Sequence, residues 1–264
     1  MYREKDRGLI HPTAIVDPAA SVDTDVEIGP YSVIGPEVQI GQGTRIGSHV
    51  VLQGPTQIGS QCEIFQFASI GDAPQDKKYT GEPTRLVIGQ GNTIREYVTI
   101  NRGTVQDEGV TEIGDHNWIM AYVHIAHDCR VGNHTVFANN ATLAGHVQIG
   151  DYVVLGGATL IHQFCRIGEH AFTAYASRIN KDVPPFITVS EGKSKPCGLN
   201  SEGLRRRGFT TEDIQSLKDA YRVLYRSDLS LEDAIINLKT MESTSRHILT
   251  LRQFLESGKR SIIR

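Results

Sequence analysis

The segment VHIAHDC, residues 123–129, places two histidines three positions apart and an aspartate directly after the second. An imidazole whose other nitrogen bonds a carboxylate, as His127 and Asp128 could provide, can remove a hydroxyl proton at neutral pH. His124 and His127 could instead be two ligands of a metal ion. All three could also be ordinary polar surface residues. The choice depends on what the fold places around them.

A six-residue repeat organises the first two thirds of the chain. An aliphatic residue recurs at every sixth position over residues 10–70, and glycine often follows it, as at Gly29. The period returns over 88–100 and, displaced by one position, over 113–167. A short strand followed by a turn suits this period, because glycine eases the turn. The repeat therefore predicts a parallel β-helix in which three hexapeptides form each triangular coil.

Two stretches interrupt the repeat. Residues 71–87 occupy the length of three hexapeptides, which predicts that a loop replaces a whole coil there. The stretch 101–112 then shifts the phase of the repeat by one position. Inserted loops are expected near both stretches.

The position two residues before each aliphatic residue is predicted to point inward and to be small. It holds Ser32, Thr44, Cys62, Cys129 and Cys165, among others. Three of the four cysteines are therefore interpreted as buried core residues, as free cysteines often are. Neither their spacing nor that of Cys197 indicates a disulfide framework or a zinc ribbon.

Coil stacking brings further histidines to the VHIAHDC segment. Residues 18 positions apart lie above one another, so His127 is predicted to share a column with Gly145 and Gln163. The histidines beside this column are His124, His146 and His162. Such a cluster is not expected of a plain solvated wall.

General-base chemistry explains the cluster better than a metal site does. Asp128 is a ready partner for His127, and Gly145 leaves a backbone N–H unshielded that could stabilise an oxyanion. This arrangement suits acyl transfer to an alcohol without a covalent enzyme intermediate. No metal is predicted.

The repeat fades after Pro185, and helical patterns follow. Thr211 opens an apolar stripe over 214–224, Ser230 opens a second helix, and 248–255 suggests a third. We predict a β-helix domain over residues 1–190 and an α-helical domain over 191–264.

Composition limits the other possibilities. A net charge of -3 does not favour a nucleic-acid binder. The N-terminus has no long apolar core, and no run of about 18 apolar residues occurs. The expectation is a cytoplasmic protein with no stable membrane insertion.

Several segments resemble the acyl-carrier-protein-dependent UDP-N-acetylglucosamine O-acyltransferases of lipid A biosynthesis, a family of the hexapeptide-repeat acyltransferase superfamily. They are EIFQFASIGDAPQDKKYTGEPTRLVIG, REYVTINRGTVQ, HIAHDC, ANNATLAGH, HQFC, DVPPF and NSEGLRRRGF. The resemblance covers nearly the whole chain. It implies a mainly β fold, a left-handed parallel β-helix of hexapeptide repeats followed by a small α-helical C-terminal domain. It also implies a homotrimer with active sites between neighbouring prisms.

The resemblance implies a reaction as well. A 3-hydroxyacyl chain would pass from acyl carrier protein to the 3-hydroxyl of UDP-N-acetylglucosamine, the first step of lipid A and hence lipopolysaccharide biosynthesis in a Gram-negative-type bacterium. No cofactor is implied beyond the phosphopantetheine arm of the carrier protein.

Individual residues match positions of known role in that family. His127 matches the general base, Asp128 its orienting acid and Gly145 the oxyanion-hole backbone. Positions that match substrate-binding residues are Asp76, Lys78, His124, His146, His162, Gln163, Asn200, Glu202, Arg206 and Arg207. The segment QDKKY departs from the commoner QDLKY, so either Lys77 or Lys78 could be the important lysine.

Tyr175 matches the site where the acyl chain ends, which is glycine in members that accept longer chains and bulky in members that accept shorter ones. The resemblance therefore predicts an acyl-chain ruler at Tyr175 and a preference for medium chains. Two alternatives stay open. One is the related glucosamine N-acyltransferase of the same pathway, and the other is a non-enzymatic β-helix scaffold.

Overall fold

The computed structural model describes residues 10–242 and 245–264, so the first nine residues of the predicted β-helix domain lie outside the described residues. Short strands form three sheets. The first sheet contains β1 (Ile15–Val16), β4 (Val33–Ile34), β7 (Val51–Leu52), β10 (Ser69–Asp72), β13 (Thr99–Asn101), β16 (His124–Ile125), β19 (Thr142–Leu143), β22 (Leu160–Ile161) and β25 (Arg178–Ile179). The second contains β2 (Ser21–Val22), β5 (Val38–Ile40), β8 (Thr56–Ile58), β11 (Arg85–Ile88), β14 (Val110–Ile113), β17 (Arg130–Val131), β20 (Gln148–Ile149) and β23 (Arg166–Ile167). The third contains β3 (Glu27–Ile28), β6 (Arg45–Ile46), β9 (Glu63–Ile64), β12 (Thr93–Ile94), β15 (Trp118–Ile119), β18 (Val136–Phe137), β21 (Val154–Leu155), β24 (Phe172–Thr173), β26 (Ile187–Val189) and β27 (Pro196–Leu199).

The chain visits the three sheets in turn, which makes a triangular prism. Strands pair in parallel with the coil above, and Ile15 pairs with Val33, 18 positions later. The predicted parallel β-helix with three hexapeptides per coil is therefore confirmed.

The prism interior is filled as the repeat predicts. From Ile28 onward the aliphatic residues of the period are buried, and so are the small residues two positions before them, including Ser32 and Thr44. Cys62, Cys129 and Cys165 are buried free thiols, and Cys197 is an exposed one. Burial raises the pKa of the Cys129 thiol to about 12, which leaves it protonated and unreactive. The interpretation of these three cysteines as core residues is confirmed.

The prediction that a loop replaces a whole coil is wrong. β11 pairs directly with β8 below it and with β14 above it, so no coil is missing. Residues 73–84 are instead an insertion at one corner, between β10 and β11. Residues 102–109 are a second insertion between β13 and β14. Both loops leave from the prism edge between the first and second sheets, which we call the loop edge.

Four helices follow the prism within residues 10–242 and 245–264: α1 (Ser201–Arg206), α2 (Thr211–Tyr225), α3 (Leu231–Met241) and α4 (Arg246–Glu256). Thr210 and Asp213 form a capping box on α2, and Ser230 caps α3. The predicted apolar stripes of α2 and α4 are buried in a second core, except for Tyr221. Before these helices, after the predicted boundary at residue 190, β27 pairs antiparallel with β26 and extends the third sheet.

The C-terminal part packs against the end of the prism. Arg166 of β23 donates to the buried Asp182 carboxylate at 3.0 Å and to the Phe254 carbonyl of α4 at 2.6 Å. Tyr221 of α2 and Ile263 join the prism core. In the described ranges, none of the helices has the length and apolar character needed to cross a membrane.

Candidate active site

The loop edge carries the residues that the sequence singled out. The turn between β16 and β17 contains His127 and Asp128, the next coil places Gly145 and His146 there, and the coil after that places Gln163 there. Asp128 and His146 occupy the same turn position in successive coils, with φ of 59° and 62°. The predicted columns are therefore confirmed.

His127 and Asp128 form a hydrogen-bonded pair. His127 Nδ1 lies 2.7 Å from Asp128 Oδ2. Asp128 is 1% exposed and His127 15% exposed, so the carboxylate is enclosed while the ring reaches the surface. Because an ionised carboxylate only accepts, Nδ1 carries the proton, and Nε2 keeps a lone pair that can accept another.

The carboxylate of Asp128 is fixed by the second inserted loop. The Thr104 N–H donates to Oδ1 at 2.7 Å, and the Thr104 hydroxyl donates to Oδ2 at 2.6 Å. Burial alone would raise the pKa of Asp128, but the bonds from His127 and Thr104 and the charge of His146 lower it below its ordinary value. The group is therefore a carboxylate at neutral pH, as an orienting acid requires.

Gly145 lies directly against the His127 ring. A β-carbon at position 145 would be 2.6 Å from His127 Cε1, so no other residue fits without moving the ring. In the part of the chain that the structure describes, the Gly145 N–H donates to no protein acceptor. A donor beside the base is what stabilisation of an oxyanion needs.

His146 lies across His127, with ring centroids 5.2 Å apart at 89°. Its Nδ1 is 3.1 Å from Asp107 Oδ2, and its Nε2 is 3.7 Å from Asp128 Oδ2. The sequence analysis missed Asp107. Its 39-residue separation from His146 gives no periodic signal, and its position depends on the conformation of the inserted loop.

The other two histidines are further from the pair. His124 is half-buried, and its Nδ1 bonds the Thr99 hydroxyl at 2.7 Å. Burial and then the charge of His127 lower the pKa of His124, which favours a neutral ring. His162 is exposed and bonds the Gln163 carbonyl at 3.1 Å.

A cavity of about 780 Å³ opens above His127. The predicted residues that line it are His127, His146, Gln163, Asp76 and Lys78. The residues that the sequence did not single out are Gln75, Gln106, Asp107 and Phe164, and Lys77 lines the cavity beside Lys78. The first inserted loop thus supplies two exposed ammonium groups near the base.

The two inserted loops are tied together. Arg102 donates to the Tyr79 hydroxyl at 3.0 Å and to the Gly71 carbonyl at 2.9 Å. Asn101 donates to the Ala73 carbonyl at 2.9 Å. These bonds hold the lysine-bearing loop over the loop edge.

His127, Asp128 and His146 are close enough together to be metal ligands. However, both Asp128 oxygens already accept hydrogen bonds, and His127 Nδ1 faces the carboxylate. A metal held by Asp128 would compete with these bonds for the carboxylate oxygens. The arrangement therefore fits general-base chemistry better than metal binding.

The predicted C-terminal residues line a different cavity. Asn200, Glu202, Arg206 and Arg207 surround about 650 Å³ between α1 and the outer face of the third sheet. Asn200 caps α1 and donates to the His170 carbonyl at 3.0 Å, and Arg206 pairs with Glu202 at 3.0 Å. These residues are not among those that line the His127 cavity within one chain.

Tyr175 lies on the edge between the third and first sheets, away from the loop edge. Its side chain covers Gly157, and a β-carbon there would be 3.4 Å from Tyr175 Cδ2. The residue is 65% exposed in a single chain.

Comparisons with known proteins agree with this architecture. A family model described as UDP N-acetylglucosamine O-acyltransferase, domain 2, matches residues 182–263, and a bacterial transferase hexapeptide model matches residues 111–145. LpxA from Acinetobacter baumannii superposes with a TM-score of 0.94 at 48% identity, covering 96% of this chain and 99% of that one. The UDP-N-acetylglucosamine acyltransferase of Francisella novicida gives a TM-score of 0.95 at 43% identity, covering 97% and 94%.

Curated relatives are similar over almost their full length. The acyl-(acyl-carrier-protein)–UDP-N-acetylglucosamine O-acyltransferase of Janthinobacterium sp. (strain Marseille) is 58% identical over 261 residues, covering 97% of this chain and 100% of the relative. The protein of the same name from Herminiimonas arsenicoxydans is 57% identical, with the same coverage. The chain belongs to the acyl-(acyl-carrier-protein)–UDP-N-acetylglucosamine O-acyltransferase family.

Proposed function

We propose that this chain transfers an acyl chain from acyl carrier protein to the 3-hydroxyl of UDP-N-acetylglucosamine, and that His127 is the general base of the transfer. The activity follows from family membership, and it makes the chain an acyltransferase of the first step of lipid A biosynthesis. One observation carries the role of His127. Its Nδ1 is bonded to a buried carboxylate, while its Nε2 lies beside a cavity and has no hydrogen-bond partner among the described residues.

The chemistry requires one proton acceptor and one oxyanion donor. His127 Nε2 takes the proton of the sugar hydroxyl, whose oxygen attacks the thioester carbonyl of the donor. The carbonyl oxygen becomes an oxyanion, and the Gly145 N–H stabilises it. When the carbon–sulfur bond breaks, the imidazolium returns its proton to the leaving thiolate. Asp128 stabilises the imidazolium between the two steps.

A neighbouring copy is proposed to complete the site. The nucleotide-binding residues expected from the family, Asn200, Glu202, Arg206 and Arg207, line a separate cavity in one chain. A homotrimer with active sites between prisms would bring that cavity of one subunit to the loop edge of the next. Arginines suit the two phosphates of the sugar nucleotide, because guanidinium groups pair bidentately with phosphate oxygens.

The remaining expectations are parts of the same proposal. Lys77 and Lys78 offer positive charge to an anionic substrate or to the acidic carrier protein. No cofactor is needed beyond the arm of the carrier protein, because the proposed steps use only His127, Asp128 and Gly145. A cytoplasmic location follows from a carrier-bound donor and a nucleotide-sugar acceptor. The N-acyltransferase and scaffold alternatives lose their support, because the full-length relatives are named O-acyltransferases.

The test is an assay of the purified protein with UDP-N-acetylglucosamine and acyl carrier proteins of several chain lengths. The His127→Ala variant should keep its oligomeric state. Its turnover should fall by about 10²- to 10⁴-fold, the usual cost of removing a general base. His11→Ala is the matched control, because the His11 side chain, at the far end of the prism, hydrogen-bonds only Thr13 among the described residues. Near-normal turnover in the His127→Ala variant would contradict the assignment of His127 as the general base.

A further inference from the structure

A second carboxylate reaches the histidine cluster from the inserted loop 102–109. Asp107 Oδ2 lies 3.1 Å from His146 Nδ1. Its other oxygen lies 3.9 Å from Arg130, which is paired more closely with the neighbouring Glu108 at 2.7 Å. Asp107 and Glu108 are therefore adjacent acids in one loop with different partners. Of these two acids, only Asp107 contacts His146 in the part of the chain that the structure describes.

The His146 ring is held on several sides. Its face stacks on Phe164 with centroids 4.4 Å apart, and His127 meets it edge-on. Its two nitrogens face carboxylates, Asp107 at Nδ1 and Asp128 at Nε2. Two other charged groups, Lys78 and Lys77, line the same cavity from the first inserted loop, as does Asp76.

We propose that Asp107 is a positioning residue that fixes His146 against the Asp128–His127 pair by accepting a hydrogen bond from His146 Nδ1. The inference rests on the proposed role of His127. Asp107 touches no atom that reacts in the proposed mechanism. It acts through His146, which forms one wall of the cavity above the base.

The His146 ring needs Asp107 because its other contacts leave its rotation undetermined. Stacking on Phe164 fixes the plane of His146, but it does not decide which nitrogen faces Asp128. A carboxylate at Nδ1 makes that nitrogen the donor, and so sets both the tautomer and the rotation of the ring. With the ring held in this way, Nε2 of His146 stays 3.7 Å from Asp128 Oδ2. Loop 102–109 thus acts on the His127–Asp128 pair from two sides, through Thr104 and through Asp107.

A double-mutant cycle tests the proposal on the full-length enzyme. Asp107→Ala should lower kcat roughly 5- to 10-fold, the order expected for the loss of one ordinary hydrogen bond. KM for UDP-N-acetylglucosamine should change less than kcat. In a His146→Ala background the same substitution should have no further effect, because Asp107 acts only through that ring. Additive losses in the double variant would overturn the proposal.

Two further variants separate the hydrogen bond from the loop. Asp107→Asn keeps an acceptor oxygen and should recover most of the activity lost in Asp107→Ala. Glu108→Ala is the matched control, because it removes the adjacent acid and its pair with Arg130 but no contact with His146. Equal losses of kcat in Asp107→Ala and Glu108→Ala would show that the effect comes from the conformation of loop 102–109 and not from the hydrogen bond to His146.

A readout independent of activity distinguishes this inference from the role of His127. Nitrogen-15 shifts of selectively labelled histidines report which ring nitrogen carries a proton. His146 should show a protonated Nδ1 in the wild type and lose that signature in Asp107→Ala. An unchanged His146 signature would overturn the positioning role even if His127 is essential. A changed signature would uphold it even if His127→Ala stayed active.

Discussion

His127 and Asp128 are consecutive residues, yet their side chains meet, with Nδ1 and Oδ2 2.7 Å apart. Consecutive side chains of a strand point to opposite faces, so a continued strand would separate the two groups. The left-handed conformation of Asp128, with φ of 59°, turns its carboxylate back toward the preceding ring. The β-helix turn thus builds a base and its orienting acid from adjacent positions.

Asp128→Asn should reduce kcat less than His127→Ala does, by about 10- to 100-fold, because the base remains while its charge partner is lost. The amide also places a donor where the carboxylate accepts from Thr104 and His127. Kinetics of both variants side by side provide the measurement. A larger loss in Asp128→Asn than in His127→Ala would contradict the assigned roles.

Gly145→Ala should inactivate the enzyme without unfolding it. The added β-carbon would lie 2.6 Å from His127 Cε1, so the ring must move, while the backbone N–H remains in place. Displacement of a catalytic group by about 1 Å can cost about 10²-fold. Turnover and the thermal unfolding midpoint should be measured together. A variant with full activity would show that the ring does not need its present position.

The regular part of this fold could be predicted from the sequence because its contacts are local and periodic. Burial of Cys62 and Cys129 followed from their positions in the hexapeptide, and the column of His127, Gly145 and Gln163 followed from coil length. Strand pairing between successive coils repeats one geometry, so an offset counted in residues becomes a position in space.

The insertions broke this correspondence. Because residues 71–87 have the length of three hexapeptides, the sequence predicted that a loop replaces a coil there. In the structure β11 pairs directly with β8, so no coil is missing. A loop has no repeating register, so nothing in the sequence placed Asp107 beside His146 or Thr104 beside Asp128. The C-terminal arginines were likewise identified only by the resemblance, because their contacts depend on how α1 docks.

Chelators should leave activity unchanged. Among the described residues, only His127, Asp128 and His146 lie close enough together to bind one metal ion. The Asp128 carboxylate already accepts three hydrogen bonds. Assays after dialysis against EDTA, with and without added zinc, provide the measurement. Loss of activity that zinc restores would support a metal site in place of the general base.

Stability should fall in mild acid because of His170. This ring is 8% exposed, stacked between Tyr152 and Phe186, and burial followed by the charges of Arg207 and His247 lowers its pKa to about 4. Between that value and the ordinary 6.5, the unfolded chain binds a proton that the folded chain does not, so the free energy of unfolding rises with pH. The contribution is therefore present above about pH 6.5 and is lost as the pH falls toward 4.

Thermal unfolding of the wild type and of His170→Phe from pH 4 to pH 8 tests this dependence. Phenylalanine keeps a ring in the stack but cannot take up a proton. The variant should lose less stability on acidification, by an amount on the order of 3 kcal/mol. Groups that do not interact with His170 are unchanged in the variant, so the difference between the two curves reports mainly on His170. Parallel curves would contradict the assignment.

Tyr175 should limit the length of the acyl chain. Its ring covers Gly157, where a residue without a side chain leaves room for a chain end that the ring then closes. Each buried methylene is worth about 0.8 kcal/mol, so each one that finds no room costs roughly fourfold in selectivity. Tyr175→Gly should therefore shift the preferred donor toward longer chains and keep activity, whereas Tyr175→Phe, which retains the ring, should keep the wild-type profile. Competition between acyl carrier proteins of different chain length gives the ratio of kcat/KM directly, and an unshifted optimum in Tyr175→Gly would place the ruler elsewhere.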